Sequence, residues 1–280
     1  MKFVAAVLAC LVLSADVSKV SAQAACGEGT ACEIPGGSYY LALPDSWNEN
    51  SPLPAVVFFH GHRSSGRSVL QGAVRAVFGE AGYAVIAPNG QIRPGADYRY
   101  WPARPMESEA RDDVAFARDV IEDVARSVPL DHRRILVSGF SAGGSMAWMI
   151  ACYQGGAFAG YVSVAGALRR PLPEGDCPGG PARMLHFHGF ADSQVPLEGR
   201  GIRDWHQGDV FESLSLLRAT NGCRSNPHAI EIGDPFSCRV WNRCTSGAEI
   251  RFCLHDGGHG LPKGWATAAR DWFELLPALQ

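Results

Sequence analysis

The chain has 280 residues, is 46% hydrophobic and carries 28 acidic against 25 basic side chains, a formal net charge of −3. That length buries a substantial core without staples and suits one large α/β domain or two small ones. Charges are mixed, with no basic stripe or charged tail, which argues against a nucleic-acid partner, and no apolar run is long enough to span a bilayer.

In chain order, the first segment is MKFVAAVLACLVLSADVSKVSAQA. It opens with Lys2 and an apolar run from Phe3 to Leu13, and it ends in Ala22-Gln23-Ala24. That order of basic start, apolar run and small-residue cleavage site predicts a signal peptide over residues 1–24 and export of the remainder, to the periplasm or the medium. A buried N-terminal helix is the competing reading. VLAC, ending at Cys10, faintly matches a lipoprotein box but lies inside the apolar run.

GSYYLALP reads as an early strand, and PAVVFFHG as a strand buried on both faces and ending at His60-Gly61. SVLQGAVRAVFGEAG is expected to form one helix closing at Gly82, followed by the strand YAVIAP and a loop rich in glycine, proline and aromatics. DDVAFARDVIEDVARSV places Val114, Ala117, Ile121, Val124 and Val128 on one helical face, with acidic residues at its start and Arg126 near its end. RRILVSGFS is a strand, SMAWMIACY a helix, and GYVSVAGA and RMLHFHG are further strands. A helix around VFESLSLLRAT, a hairpin from CRVWNRC to EIRFC and a closing helix in WATAARDWFELL complete the chain. Alternating strands and helices predict an α/β fold with a mainly parallel sheet covered on both faces, and residues 25–280 are expected to form a single domain.

Excluding Cys10, eight cysteines remain: Cys26, Cys32, Cys152, Cys177, Cys223, Cys238, Cys244 and Cys253. An even number in an exported chain favours disulfides. Cys26 and Cys32 could close a small loop, and Cys238 and Cys253 could face each other across the hairpin. A metal site built from these cysteines with His255 and His259 is disfavoured, because no C-x-x-C pair is present.

The stretch GFSAGGSM places Ser141 directly after one apolar strand and before a helix, inside Gly139-Phe140-Ser141-Ala142-Gly143. A nucleophile lifted above a sheet on a sharp strand-to-helix turn needs that spacing, although a structural glycine turn could also produce it. A serine hydroxyl needs a base held by an acid, and on this architecture the partners follow in the order acid, then histidine. Asp192 in HGFADSQVP and His259 in HDGGHGLP follow successive strands in that order. His255 falls at its strand's edge, Asp256 is out of order, His186 and His188 read as satisfied core histidines, and Asp112 and Asp113 as helix-start residues. For a developing oxyanion the candidate donors are the backbone N–H groups of Ala142 and His62, with His60 bracing the loop that carries His62. Tyr100 and Trp101, on the aromatic loop beside Tyr98, and Trp205 are candidates for lining a substrate pocket; packing on neighbouring elements is the alternative.

With these residues placed, the chain resembles the secreted polyhydroxybutyrate depolymerase and feruloyl esterase-like enzymes grouped as carbohydrate esterase family one. The resemblance runs through FFHG, DDVAFARDVIEDVARSVPLDHRRILVSGFSAGGSM, HGFADSQVP, NGC and GGHGLP, over nearly the whole chain after the leader. It implies an α/β-hydrolase fold, Ser141 as nucleophile, Asp192 as acid and His259 as base, and it pairs Cys223 with Cys244, leaving Cys238 with Cys253. Two positions depart from the family pattern: Leu261 stands before Pro262 where tryptophan is usual, and His62-Arg63-Ser64 replaces a small, glycine-rich continuation.

The resulting expectation is a secreted serine ester hydrolase that needs no cofactor or metal. Its partners would be small-molecule or oligomeric esters, or polymer chain ends: hydroxyalkanoate esters, or feruloyl and acetyl esters of plant polysaccharide. A serine peptidase of the same fold and a non-catalytic binding protein on a hydrolase scaffold are the alternatives.

Overall fold

In the computed structural model, residues 26–102, 110–202 and 205–279 are described, which leaves the expected leader over 1–24 and the side chain of Trp205 outside. The run Leu130–Phe140 is an eleven-residue strand (β7) whose inner residues are buried on both faces. Around it lie β1 (Cys32–Ile34), β2 (Gly37–Ala42), β3 (Leu53–Phe59), β4 (Ala84–Pro88), β8 (Gly160–Val164) and β9 (Met184–Gly189). The sheet is completed by β12 (Ala229–Ile232), β13 (Ser237–Trp241) and β14 (Ile250–His255). The ten strands are ordered β1-β2-β4-β3-β7-β8-β9-β14-β13-β12. The centre, from β4 to β14, is parallel, and both edges are antiparallel.

The period of two in each strand sends alternate side chains to two separate cores. Ala55, Val57 and Phe59 of β3 join Ile135 and Val137 of β7 on one face, while Val56, Phe58 and Leu136 point to the other. The first face is covered by α3 (Asp113–Ala125), α4 (Ala142–Tyr153) and α5 (Val210–Thr220), the second by α1 (Gly66–Leu70), α2 (Ala73–Glu80) and α6 (Trp265–Leu275). Two small hairpins, β5 (Gln91–Ile92) with β6 (Arg99–Tyr100) and β10 (Arg200–Ile202) with β11 (Trp205–Gln207), stand outside the main sheet.

The helix expected from Ser68 to Gly82 is two helices, α1 and α2, with Gly72 as the extended N-cap of the second. Glycine caps a helix without strain and weakens a helix interior, so the run divides there. On α3, Phe116 and Val120 join Ala117, Ile121 and Val124 in the buried face, and Val114 sits at its margin. The short strands β1 and β12 carry no alternation long enough to be read from sequence, and both exist by pairing onto an edge already formed.

Four disulfides join Cys26 to Cys32, Cys152 to Cys177, Cys223 to Cys244 and Cys238 to Cys253. The last links residues directly opposite each other in the β13–β14 register. All eight cysteines are engaged in these bridges, which removes the thiolates that a metal reading of them would require.

Asp112 and Asp113 begin α3 as expected. Asp112 Oδ1 accepts the Val114 and Ala115 N–H groups at 3.0 Å each, and Asp113 pairs with Arg111 at 2.6 Å. Replacing Asp112 by alanine is expected to destabilise the fold by about 1 kcal/mol, measurable in chemical denaturation, because two helix-end donors lose their acceptor.

Candidate active site

Parallel strands deliver their carboxyl ends to one edge of a sheet, and that edge gathers the loops after β3, β7, β9 and β14. Ser141 follows β7 immediately and is the N-cap of α4, at φ 57° and ψ −118°. A side chain pays about 1–3 kcal/mol to sit in such a region, and the turn keeps Ser141 there through fixed neighbours. Its N–H donates to the Val164 carbonyl at 2.8 Å, and its carbonyl accepts the Ser145 N–H at 2.9 Å. Close approach explains the two flanking glycines. A Cβ at Gly139 would collide with the Gly143 carbonyl, and a Cβ at Gly143 with the carbonyl oxygens of Phe59 and His60.

The structure brings Ser141, Asp192 and His259 together. His259 Nε2 stands 2.9 Å from Ser141 Oγ, and its Nδ1 is 2.8 Å from Asp192 Oδ2. The remaining oxygen, Asp192 Oδ1, accepts the Gln194 and Val195 N–H groups at 2.9 and 2.8 Å. Burial by itself would raise the Asp192 carboxyl, but the bonds from His259 and the Val195 N–H outweigh it and hold the group below the usual range. The Asp192 carboxylate faces Nδ1 of the ring and Nε2 faces the serine hydroxyl. The Phe140 ring packs against the imidazole, 5.1 Å between centroids.

The rival residues take other places. His255 Nδ1 accepts the Gly257 N–H at 3.1 Å, which turns that ring into the support of the His259 loop. His186 and His188 are fully buried behind Asp192 and bond to each other at 3.0 Å.

The loop after β3 lies beside the serine: a Cβ at Gly61 would be 3.6 Å from Ser141 Cβ. His60 clamps this loop. Gly90 N–H donates to His60 Nε2 at 3.0 Å, so the ring proton is on Nδ1, which donates to the Gly61 carbonyl at 2.7 Å. In a planar peptide C=O and N–H point in opposite directions. Fastening Gly61 C=O therefore aims the His62 N–H away from His60. Neither the His62 nor the Ala142 N–H donates to any group among the described residues, whereas the Arg63 N–H is engaged by the Arg99 carbonyl at 3.0 Å. The unusual His62-Arg63 pair is held by an aromatic of the neighbouring hairpin. The Tyr98 ring meets the His62 ring edge-on at 4.9 Å and the Arg63 guanidinium at 4.5 Å.

Of the expected pocket aromatics, Trp101 is buried at 1% exposure, packs edge-on against Phe59 and donates Nε1–H to the His60 carbonyl at 2.8 Å. It supports the loop after β3 from beneath, so the expected role in lining a pocket is corrected to one in bracing. Tyr100 is partly buried in β6, with the Arg93 guanidinium 5.7 Å from its ring. Trp205 lies on β11, with its side chain outside the described residues. Two apolar side chains on the loops after β9 and β14 are exposed, Phe190 at 73% and Leu261 at 45%. Phe190 was not singled out from sequence, where a phenylalanine after a strand reads as core.

No protein-family model matches the chain. Among curated proteins it is similar to feruloyl esterase C of Emericella nidulans, with 29% identity over 245 residues, covering 83% of this chain and 80% of that protein. It is similar to feruloyl esterase B of Piromyces equi, with 26% identity over 236 residues, but spans only 42% of that longer protein. Among solved structures, the acetyl xylan esterase of Aspergillus awamori superposes with a TM-score of 0.67 at 16% identity, covering 85% of this chain and 93% of that one. The Bacillus cereus carboxylesterase gives 0.55 at 14% identity, again covering 85% and 93%. The chain is similar in sequence to feruloyl esterases and shares the α/β-hydrolase fold of the solved esterases.

Two outcomes follow from the backbone and the buried imidazole. Ser141→Gly is expected to exceed Ser141→Ala in folding stability by about 1 kcal/mol, since only glycine occupies that conformation freely; equal denaturation midpoints would contradict strain at the turn. Burial pushes His60 down to about 4. An unfolded histidine protonates near 6.5, so between pH 6.5 and 4 the unfolded chain takes up a proton that the folded one refuses, and stability falls as pH falls. The loss reaches about 3 kcal/mol for His60. His186 and His188, also lowered by burial, act in the same sense. The melting temperature of His60→Gln should therefore fall less steeply over that window.

Proposed function

We propose that the chain is a serine esterase working through an acyl-enzyme, with Ser141 as nucleophile, His259 as general base and Asp192 as the acid that orients it. The observation that carries this reading is the continuous hydrogen-bonded line from Asp192 Oδ2 through His259 to Ser141 Oγ, with bonds of 2.8 and 2.9 Å. His259 Nε2 takes the hydroxyl proton as Oγ attacks the ester carbonyl, and Asp192 stabilises the imidazolium that forms. The carbonyl oxygen becomes an oxyanion facing the unpaired N–H groups of Ala142 and His62, each such donor being worth about 3 kcal/mol in a dry site. Collapse breaks the ester C–O bond, and His259 returns the proton to the leaving alcohol. Water, deprotonated by the same imidazole, then attacks the acyl-serine and releases the acid.

The substrate we assign is a feruloyl or acetyl ester of plant polysaccharide. The names of the relatives support it, and so does the exposed apolar pair Phe190 and Leu261 on the two loops that carry the acid and the base. Short hydroxyalkanoate esters are the second class to assay. Export is supported by the sequence of residues 1–24 and by four disulfides, which an oxidising compartment maintains. Among the described residues no helix is long and apolar enough to cross a membrane.

The test sets the purified protein beside Ser141→Ala on methyl ferulate, p-nitrophenyl acetate and a soluble hydroxybutyrate oligomer. Ser141→Ala is expected to lose at least about 10³-fold in kcat and all labelling by a fluorophosphonate, while its circular dichroism is unchanged. Retained turnover would remove Ser141 from the reaction. A wild-type protein that neither turns over nor labels would be the binding scaffold instead.

A further inference from the structure

Behind Asp192 a line of buried polar groups runs into the core, and the chemistry above makes no use of it. Trp148 lies two turns along α4 from Ser141, and His186 and His188 point to the same face of β9; none is more than 1% exposed. Trp148 Nε1 is 3.3 Å from His186 Nδ1, His186 Nε2 is 3.0 Å from His188 Nδ1, and His188 Nε2 is 2.8 Å from the Val195 carbonyl oxygen. The same His188 Nε2 is 3.5 Å from Asp192 Oδ2.

The direction of this line is decided at its far end. An indole N–H can only donate, so His186 Nδ1 must accept and the His186 proton lies on Nε2. That proton is donated to His188 Nδ1, which leaves the His188 proton on Nε2, facing Val195 O and the Asp192 carboxylate. Reversing the line would turn a lone pair of His188 toward two oxygens, a repulsive contact in a low-dielectric interior. Val195 is the residue on which this converges. Its carbonyl is held by His188 while its N–H donates to Asp192 Oδ1 at 2.8 Å.

Resting on the triad reading above, we propose that Trp148, His186 and His188 form a polarised hydrogen-bond relay in which His188 is a positioning residue for Asp192 and Trp148 sets its tautomer. No proton is transferred along it; its work is to hold the turn from Asp192 to Val195 so that Oδ2 meets His259 Nδ1. The titratable groups facing His188 are His186 on its own strand, Asp192 and His259 on the adjoining loops and His255 at the end of β14.

Nitrogen-15 NMR of the histidines in the intact protein reads the relay without any substitution. His186 and His188 should both be neutral with the proton on Nε2, and a proton on Nδ1 of either ring overturns the relay. Its consequence is read in His188→Leu and Trp148→Phe. His188→Leu is expected to lower kcat about 10²-fold with KM changed less than about twofold, and Trp148→Phe about tenfold. In both, the low-field resonance of the His259 Nδ1 proton should shift, which a loss of core packing alone would not produce while the protein stays folded. His188→Gln, whose side-chain amide N–H can donate to Val195 O, should recover most of the His188→Leu loss. If folded His188→Leu keeps both kcat and the His259 resonance, the positioning role is wrong, whatever the fate of the triad. If Ser141→Ala stays active, the triad reading fails, while the tautomer measurement still judges the relay.

Discussion

The contact on which the site depends is the seat of Gly143 against the carbonyl oxygens of Phe59 and His60. It brings the first turn of α4 to backbone contact with the end of β3, where no side chain fits. Neighbouring registers make this possible, since Phe59 is the partner of Gly139 across the parallel β3–β7 pair. Two loops that leave adjacent strands at the same level emerge side by side. One holds the serine hydroxyl and the Ala142 N–H; the other holds the His62 N–H. The strain at Ser141 is the cost of that geometry, and it is offset by a helix that starts inside the core, with Met146, Ala147, Trp148 and Ile150 almost wholly buried.

Around this contact the protein uses neutral, buried histidines as fixed hydrogen-bond connectors. His60 accepts from one loop and donates to another, and His186 and His188 each accept at Nδ1. For His60 and His186 a neighbouring N–H that can only donate decides where the ring proton lies, His186 passes that choice on to His188, and burial disfavours the charged form of each ring. A connector with one donor and one acceptor specifies an orientation that a hydrophobic side chain of the same size could not. His259 differs in having the Asp192 carboxylate on one side and the Ser141 hydroxyl on the other, the arrangement on which the proposed mechanism rests.

The solved esterase structures share this fold, and the rim of the site in this chain is built from the loop after β3 and the hairpin beside it. His62 and Arg63 occupy a loop where a small residue was expected from resemblance, and Tyr98 packs against both. The β5–β6 hairpin thus becomes part of the wall beside the serine. Trp101, from the same segment, holds the loop from below.

Much of this was legible in the linear chain. The apolar runs that became β3, β4, β7, β8 and β9, the helical period of α3, the glycine-spaced Ser141 and the order of Asp192 and His259 are local signals, carried by side-chain alternation, turn chemistry and chain order over a few residues each. The edge strands β1 and β12 and the burial of Trp101 were not legible, because each is decided by what packs on or pairs with the element from elsewhere; the division of α1 from α2 rests on one local residue, Gly72, inside an otherwise continuous helical run. The hydrogen-bond polarity that aims His62 N–H and holds Asp192 belongs only to the tertiary structure. Which nitrogen of a histidine carries the proton depends on which donor faces it, and for His60 and His186 those donors come from residues 30 and 38 positions away.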